Sequence, residues 1–254
     1  MKLGLVTYNM AKDWVVPALI AHCRATGFEA VELRTTHAHG VEPSLSPTER
    51  EAVRRQFEDS GVRLVSLGTA CEYHSLDPAE VRRQIADTEQ FARLAHDLGC
   101  LGVKVRPNGL HEKEGIPKEE ILTQIGRALA ECGEIGQRHG VEIWVEVHGA
   151  GTQLPANMRT IMDAADHPNV FVCWNSNPTD VADGSIRASF ELLQRWIRSV
   201  HITELDNQAY PWRELFTRLR GIGYDRYTLA EIPGSPDPDR VMRYYRALWR
   251  ELTR

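Results

Sequence analysis

No cysteine pattern is present. The five cysteines, Cys23, Cys71, Cys100, Cys132 and Cys173, are odd in number, far apart and without a CxxC pair. That argues against a disulfide framework or a thiolate zinc site and points to a reducing, cytoplasmic setting. No apolar run approaches the roughly 20 residues of a membrane span, and the apolar stretch in MKLGLVTYNMAKDW is too short for a signal-peptide core. Basic residues are not in excess: 30 Lys+Arg stand against 35 Asp+Glu, a formal net charge of -5. Nucleic-acid phosphates would demand the opposite balance, so no DNA or RNA partner is expected. No GxGxxG follows the first apolar run, where Thr7-Tyr8-Asn9-Met10 stands instead, and no P-loop occurs. Both absences count against a nucleotide-binding open sheet. There is no low-complexity tract and no linker, so one domain spanning residues 1–254 is expected.

What is present is an alternation. Eight short apolar, mostly β-branched runs read as strands: Leu3–Tyr8, Ala30–Arg34, Arg63–Gly68, Gly102–Arg106, Glu142–His148, Val170–Asn175, Ser199–Thr203 and Tyr227–Ile232. Between or after them lie helical patterns at Pro47–Ser60, Pro78–Leu98, Lys118–His139, Arg187–Trp196 and Asp237–Leu252. Ser46-Pro47 and Asp77-Pro78 put a cap residue before a first-turn proline. Gly27, Gly61, Gly99 and Gly140 each close a helical pattern. Strands alternating with helices predict parallel βαβ units, and a count of eight predicts an α/β fold closed as a single (β/α)8 TIM barrel.

Strand periodicity then sorts the faces. In the fifth run Ile143, Val145 and Val147 share one face, so Glu146 and His148 point the other way. Asn175 in the sixth run, His201 in the seventh and Glu231 in the eighth fall on the same inward side. Four successive strands thus deliver Glu146, Asn175, His201 and Glu231 toward one rim. A lone rim glutamate is more often half of a salt bridge, and a lone barrel histidine more often structural. Convergence from adjacent strands favours a shared divalent ion, and this mixed O/N donor set suits Mn, Mg, Co, Zn or Fe(II). Lys104 and Arg106 lie inward on the fourth run, ready to hold a substrate hydroxyl or carboxylate or to neutralise the glutamates. Glu32 and Arg34 read as an ion pair. His37 and His39, and Glu72 and His74, sit in loops at the same end. Tyr210 and Trp212 either wall the mouth or anchor the next helix. Gly234-Ser235 reads equally well as a phosphate site or a plain turn.

The segments WVEVHG, VCWNSNP, VHITEL and LAEIPGS, with the ELRTTHAHG run at Glu32–Gly40, resemble the motifs of the xylose-isomerase-like sugar phosphate isomerase/epimerase family. The resemblance runs the length of the chain. It implies that Glu146, His201 and Glu231 bind a divalent metal, with Asn175 where the family usually carries aspartate. It implies that Glu146 and Glu231 are the catalytic proton-transfer pair, with the metal stabilising an enediolate. His37, Lys104, Arg106, His148 and Asn207 are the expected substrate contacts. The resemblance implies a small sugar, keto-acid or inositol-like substrate. Asn175 supplies one neutral oxygen where aspartate offers an anionic pair, so weaker or altered metal binding is expected.

Three functions compete. An isomerase or epimerase moves a proton beside a carbonyl, and a lyase or dehydratase eliminates after the same abstraction. A non-catalytic sugar-binding barrel gains support only from Asn175. Pro178, where several epimerases carry a substrate-binding histidine, takes weight from the ketose 3-epimerases. Endonuclease chemistry is disfavoured by the acidic balance and the missing extra ligands. A homo-oligomer is compatible with all of these.

Overall fold

The computed structural model describes residues 1–254. Eight parallel strands close into a barrel in chain order: β1 (Lys2–Val6), β2 (Ala30–Arg34), β3 (Arg63–Gly68), β4 (Gly102–Val105), β5 (Glu142–Glu146), β6 (Val170–Asn175), β7 (Ile197–Ile202) and β8 (Tyr227–Ala230). The crossovers carry α1 (Val16–Thr26), α2 (Pro47–Ser60), α3 (Pro78–Asp97), α4 (Lys118–His139), α5 (Pro155–Ala165), α6 (Arg187–Leu193) and α7 (Trp212–Gly221). A last helix, α8 (Pro238–Leu252), follows β8. No helix is long and apolar enough to cross a membrane.

The strands β1, β4, β5, β7 and β8 stop one or two residues short of the expected ends. Arg106, His148 and Glu231 therefore stand just beyond the ladder, where the chain turns out of the sheet. The helical pattern expected to Trp196 ends as α-helix at Leu193. It tightens into a 3-10 turn over Gln194–Trp196 that feeds β7 at Ile197 rather than Ser199. Capping follows the sequence signals. Ser46 and Glu49 form a reciprocal capping box, and the Asp77 side chain accepts from the Ala79 amide. Gly27, Gly61, Gly99 and Gly140 all take positive φ.

The barrel interior is layered. Under the site, midway along the strands, Trp144, Ala30, Val65 and Cys173 pack together as an apolar plug. Trp144 fits because its indole lies over Gly102 of β4, where a Cβ would stand 2.6 Å from the ring. Below it Glu142 accepts from the Trp144 indole N–H at 2.7 Å and from both terminal nitrogens of Arg226 at 2.6 and 2.7 Å. The outward strand residues, such as Ile143, Val145, Val172 and Val200, are fully buried against the helices. Polar inward residues gather above the plug, toward the C-terminal rim, as a packed barrel of this type requires.

Candidate functional site

The structure brings Glu146, His201 and Glu231 together. One ligand-capable atom from each lies within 4.8 Å of the others. His201 Nδ1 stands 3.4 Å from Glu146 Oε1 and 3.7 Å from Glu231 Oε2. Glu146 and His201 are buried, whereas the Glu231 side chain keeps 22% of its surface open to the mouth. Asn175 is the cross-strand partner of His201 and is buried at the same level.

Partners from other strands hold this cluster. Lys104 Nζ donates to Glu146 Oε2 at 2.6 Å, deep inside the barrel. Of the two roles open to Lys104, the geometry gives it the neutralising one. Burial alone would raise the Glu146 pKa, but the Lys104 ammonium and His201, with His148 beyond, hold it well below the usual carboxylate range. Burial would also strip Lys104 of its proton, and Glu146 and Glu32 reverse that, raising its pKa. His201 follows the same logic. Burial opposes its charge, and Cys173, Glu32 and Glu146 carry its pKa well upward.

Glu32 does not pair with Arg34. Side chains two apart on a strand share a face but sit at different depths, and Glu32 occupies the lower level. Its Oε1 fills the space left by Gly68, where a Cβ would lie 2.8 Å away. Ser66 Oγ donates to Glu32 Oε2 at 2.7 Å, and Glu32 Oε1 lies 3.2 Å from His201 Nε2. One imidazole nitrogen therefore faces a buried carboxylate and the other faces the Glu146–Glu231 pair. That arrangement fixes the ring and aims Nδ1 at the carboxylate pair, where a bound ion would take the place of the Nδ1 proton. Despite burial, His201, Lys104 and Ser66 keep the Glu32 pKa below its ordinary value.

The remaining expected contacts separate. His148 lies half-buried beside Glu146, with Nδ1 shielded and unpaired. Arg106 Nε approaches Glu72 Oε1 at 3.0 Å. His37 Nδ1 is 2.9 Å from Thr7 Oγ1, and its ring lies nearly parallel to that of exposed Tyr8, centroids 6.3 Å apart. Sequence reasoning passed over Tyr8. His39 is committed to the loop: Nε2 bonds the Arg34 carbonyl at 2.8 Å and Nδ1 accepts from the Val41 amide at 3.0 Å. Asn207 is exposed, and its side-chain oxygen accepts from the Ala209 amide at 3.0 Å. Its short polar side chain is spent on an Asx turn, not turned to the cluster. Ser235 likewise accepts from the Asp237 amide at 3.1 Å, which supports the plain-turn reading of Gly234-Ser235.

Tyr210 and Trp212 are anchors. The Trp212 indole donates to the Asn207 carbonyl at 3.0 Å. Tyr210 accepts from the Trp174 indole and donates to Asp180 Oδ2, both at 3.0 Å, and Asp180 Oδ2 also accepts from the Asn177 amide at 2.9 Å. This buried chain ties the loop after β6 to the loop after β7. Burial pushes the Asp180 pKa up to about 7 against the pull of the Asn177 and Tyr210 hydrogen bonds.

The class of molecule is settled by these features: a parallel (β/α)8 barrel with its polar chemistry at the C-terminal rim. Within that class the chain belongs to the xylose isomerase-like TIM barrel family, whose model matches residues 20–252. The fold is similar to that of D-psicose 3-epimerase from Clostridium cellulolyticum H10, at 15% identity and TM-score 0.85, with 100% of this chain and 99% of that one covered. It is similar to 3-keto-D-glucoside 4-epimerase from E. coli, at 14% identity and TM-score 0.81, with 99% of each chain covered. A third similar structure is the Bacillus anthracis protein assigned as a 3-DHS dehydratase of petrobactin synthesis, at 17% identity and TM-score 0.76, with 98% and 99% covered.

Proposed function

We propose that the protein is a divalent-metal-dependent isomerase or epimerase that moves a proton beside a carbonyl of a small sugar, keto-acid or inositol-like substrate. The observation that carries this reading is the convergence of Glu146, His201 and Glu231 to within 4.8 Å. The donor chemistry fits such an ion: two carboxylates and an imidazole whose Nδ1 is buried without a hydrogen bond. Asn175 would add a neutral oxygen. The ion, when bound, supplies Lewis-acid stabilisation of charge developing on a carbonyl oxygen. Glu146, held ionised by Lys104, is the base. Glu231, open to the mouth, would enter protonated and give its own proton from the other side, leaving Glu146 as the carboxylic acid. Glu32 and Ser66 fix the His201 ring, and His148 steadies Glu146. A cytoplasmic setting, and an ion drawn from Mn, Mg, Co or Zn, belong to the same proposal.

A second reading, elimination by a lyase, has support from the dehydratase among the similar folds. Both reactions start with the same abstraction and differ in product. The test is a screen of ketoses, keto-sugars and inososes with and without Mn2+, read by mass and ultraviolet absorbance. Turnover that needs Mn2+ and conserves mass is expected, and a conjugated, absorbing product would select the lyase. A protein that binds no metal and gains no thermal stability from Mn2+ would leave only a sugar-binding barrel.

A further inference from the structure

Four consecutive side chains, Trp174 to Asn177, carry the chain out of β6, and three of them are committed. The Trp174 indole packs outward on Phe190 and donates to Tyr210. Ser176 Oγ donates to the His201 carbonyl at 2.9 Å, and Asn177 Nδ2 donates to the Val147 carbonyl at 2.7 Å. Asn175 is the exception. It is 8% exposed, yet its amide makes no hydrogen bond within the protein. A buried amide without a partner is costly, so its place needs a reason. Alternation with outward Trp174 turns Asn175 inward, and the ladder sets it directly beside His201, with adjacent strands about 4.8 Å apart. Neither amide atom is sealed from solvent, unlike both ring nitrogens of His201, so the group meets whatever enters the mouth.

An amide offers what a carboxylate cannot. Asparagine carries two N–H donors beside its oxygen, whereas ionised aspartate only accepts. When Glu146 takes a proton from carbon, the C–H electron pair becomes a new C=C bond and the carbonyl π pair moves onto oxygen. That oxygen gains negative charge, and a fixed N–H donor beside it stabilises the change. A carboxylate in the same place would oppose it. We propose that Asn175 is an oxyanion donor: its Nδ2 hydrogen-bonds the substrate oxygen that becomes charged, and Oδ1 remains available to the ion. This rests on the proton transfer proposed above and adds a substrate contact to it. The bonds of Ser176 to β7 and of Asn177 to the chain leaving β5 hold the backbone beside Asn175, so the amide is in place before substrate arrives.

The probe is glycolohydroxamate, a small planar O,O-chelator whose anion imitates the enediolate of any substrate of this kind. It is titrated calorimetrically into wild type, N175A and N175D, each saturated with Mn2+. Matching circular dichroism spectra check the fold. N175A should weaken the probe about tenfold or more, the worth of a hydrogen bond to a charged group. N175D should weaken it further, while Mn2+ affinity in that variant, measured by dye competition without the probe, does not fall. In the isotope-labelled, Mg2+-loaded protein, the Asn175 side-chain amide signal, assigned by its loss in N175D, should move downfield as the probe binds. An amide signal that stays in place, or a probe affinity unchanged in N175A, overturns the donor and leaves the metal reading standing. A Mn2+-loaded wild type that ignores the probe overturns it too. A wild type that binds no Mn2+ ends the proposed function, and the donor with it. Should N175A fail to fold, the wild-type amide signal decides alone.

Discussion

Between β5 and β8 the inward rim residues are Glu146, His201 and Glu231, drawn to within 4.8 Å and braced from below by Glu32 and Lys104. Between β2 and β4 they are Arg34, Lys104 and Arg106, and only Lys104 finds a buried partner aligned to it. The first half is preorganised where it is buried: Lys104 aims Glu146, and Glu32 faces the far nitrogen of His201. The second half is charged but open. Fixed geometry on one side and looser, partly exposed charge on the other are what a site needs when it must hold a reacting centre rigidly and accept a variable remainder.

Removing the acidic half should have the largest effect. Glu146→Gln or Glu231→Gln should lower kcat/KM by about 1,000-fold or more, roughly 4 kcal/mol, with the circular dichroism spectrum unchanged. Wild-type rates in either variant would strip that half of its role.

The frame under the same half should titrate. Asp180 carries a folded-state pKa of about 7 against an ordinary 3.8. The folded protein therefore holds a proton that the unfolded chain has released, and the stability Asp180 contributes is full below pH 3.8 and lost as pH rises to 7. The slope is at most about 1.4 kcal/mol per pH unit. Asp180→Asn should flatten that part of the profile, and urea melts of both proteins at pH 4.5 and 7.5 would show it. An identical pH dependence in the two would mean the carboxyl is ionised throughout.

Bracing comes next. Glu32→Gln should weaken Mn2+ binding by about 10- to 100-fold, the usual cost of losing a ligand's carboxylate partner, and Ser66→Ala by less. Unchanged affinity would reduce Glu32 to a packing residue. The smallest effect is expected from Asn175→Asp, which adds one anionic oxygen and should tighten Mn2+ binding by about tenfold. No change there would remove position 175 from the ligand set.

How legible each half was follows from the range of its contacts. Alternation along β5 to β8 put Glu146, Asn175, His201 and Glu231 on one face, because a strand's period is local. The barrel count was readable for the same reason, as were α2 and α3, whose Ser46 and Asp77 caps sit beside prolines. Helices α1, α5 and α7 lack a side-chain cap, and their starts were not read. Glu32 was misread because its partners, Ser66 and His201, come from β3 and from across the barrel, and because the space it uses is made by Gly68. The Trp174–Tyr210–Asp180 chain was missed for a similar reason: it joins two loops far apart in sequence. Asn207 carried a local signal, an Asx turn ahead of Tyr210-Pro211, that outweighed its suggestive place after β7.

The plug around Trp144, sealed beneath by Glu142 and Arg226, makes the barrel a blind cup. Whatever enters past Tyr8 and Glu231 must leave by the same doorway, so a departing product contends with arriving substrate for one passage. The tempo of exchange is then governed by the loops around that doorway, and nothing drains through the base.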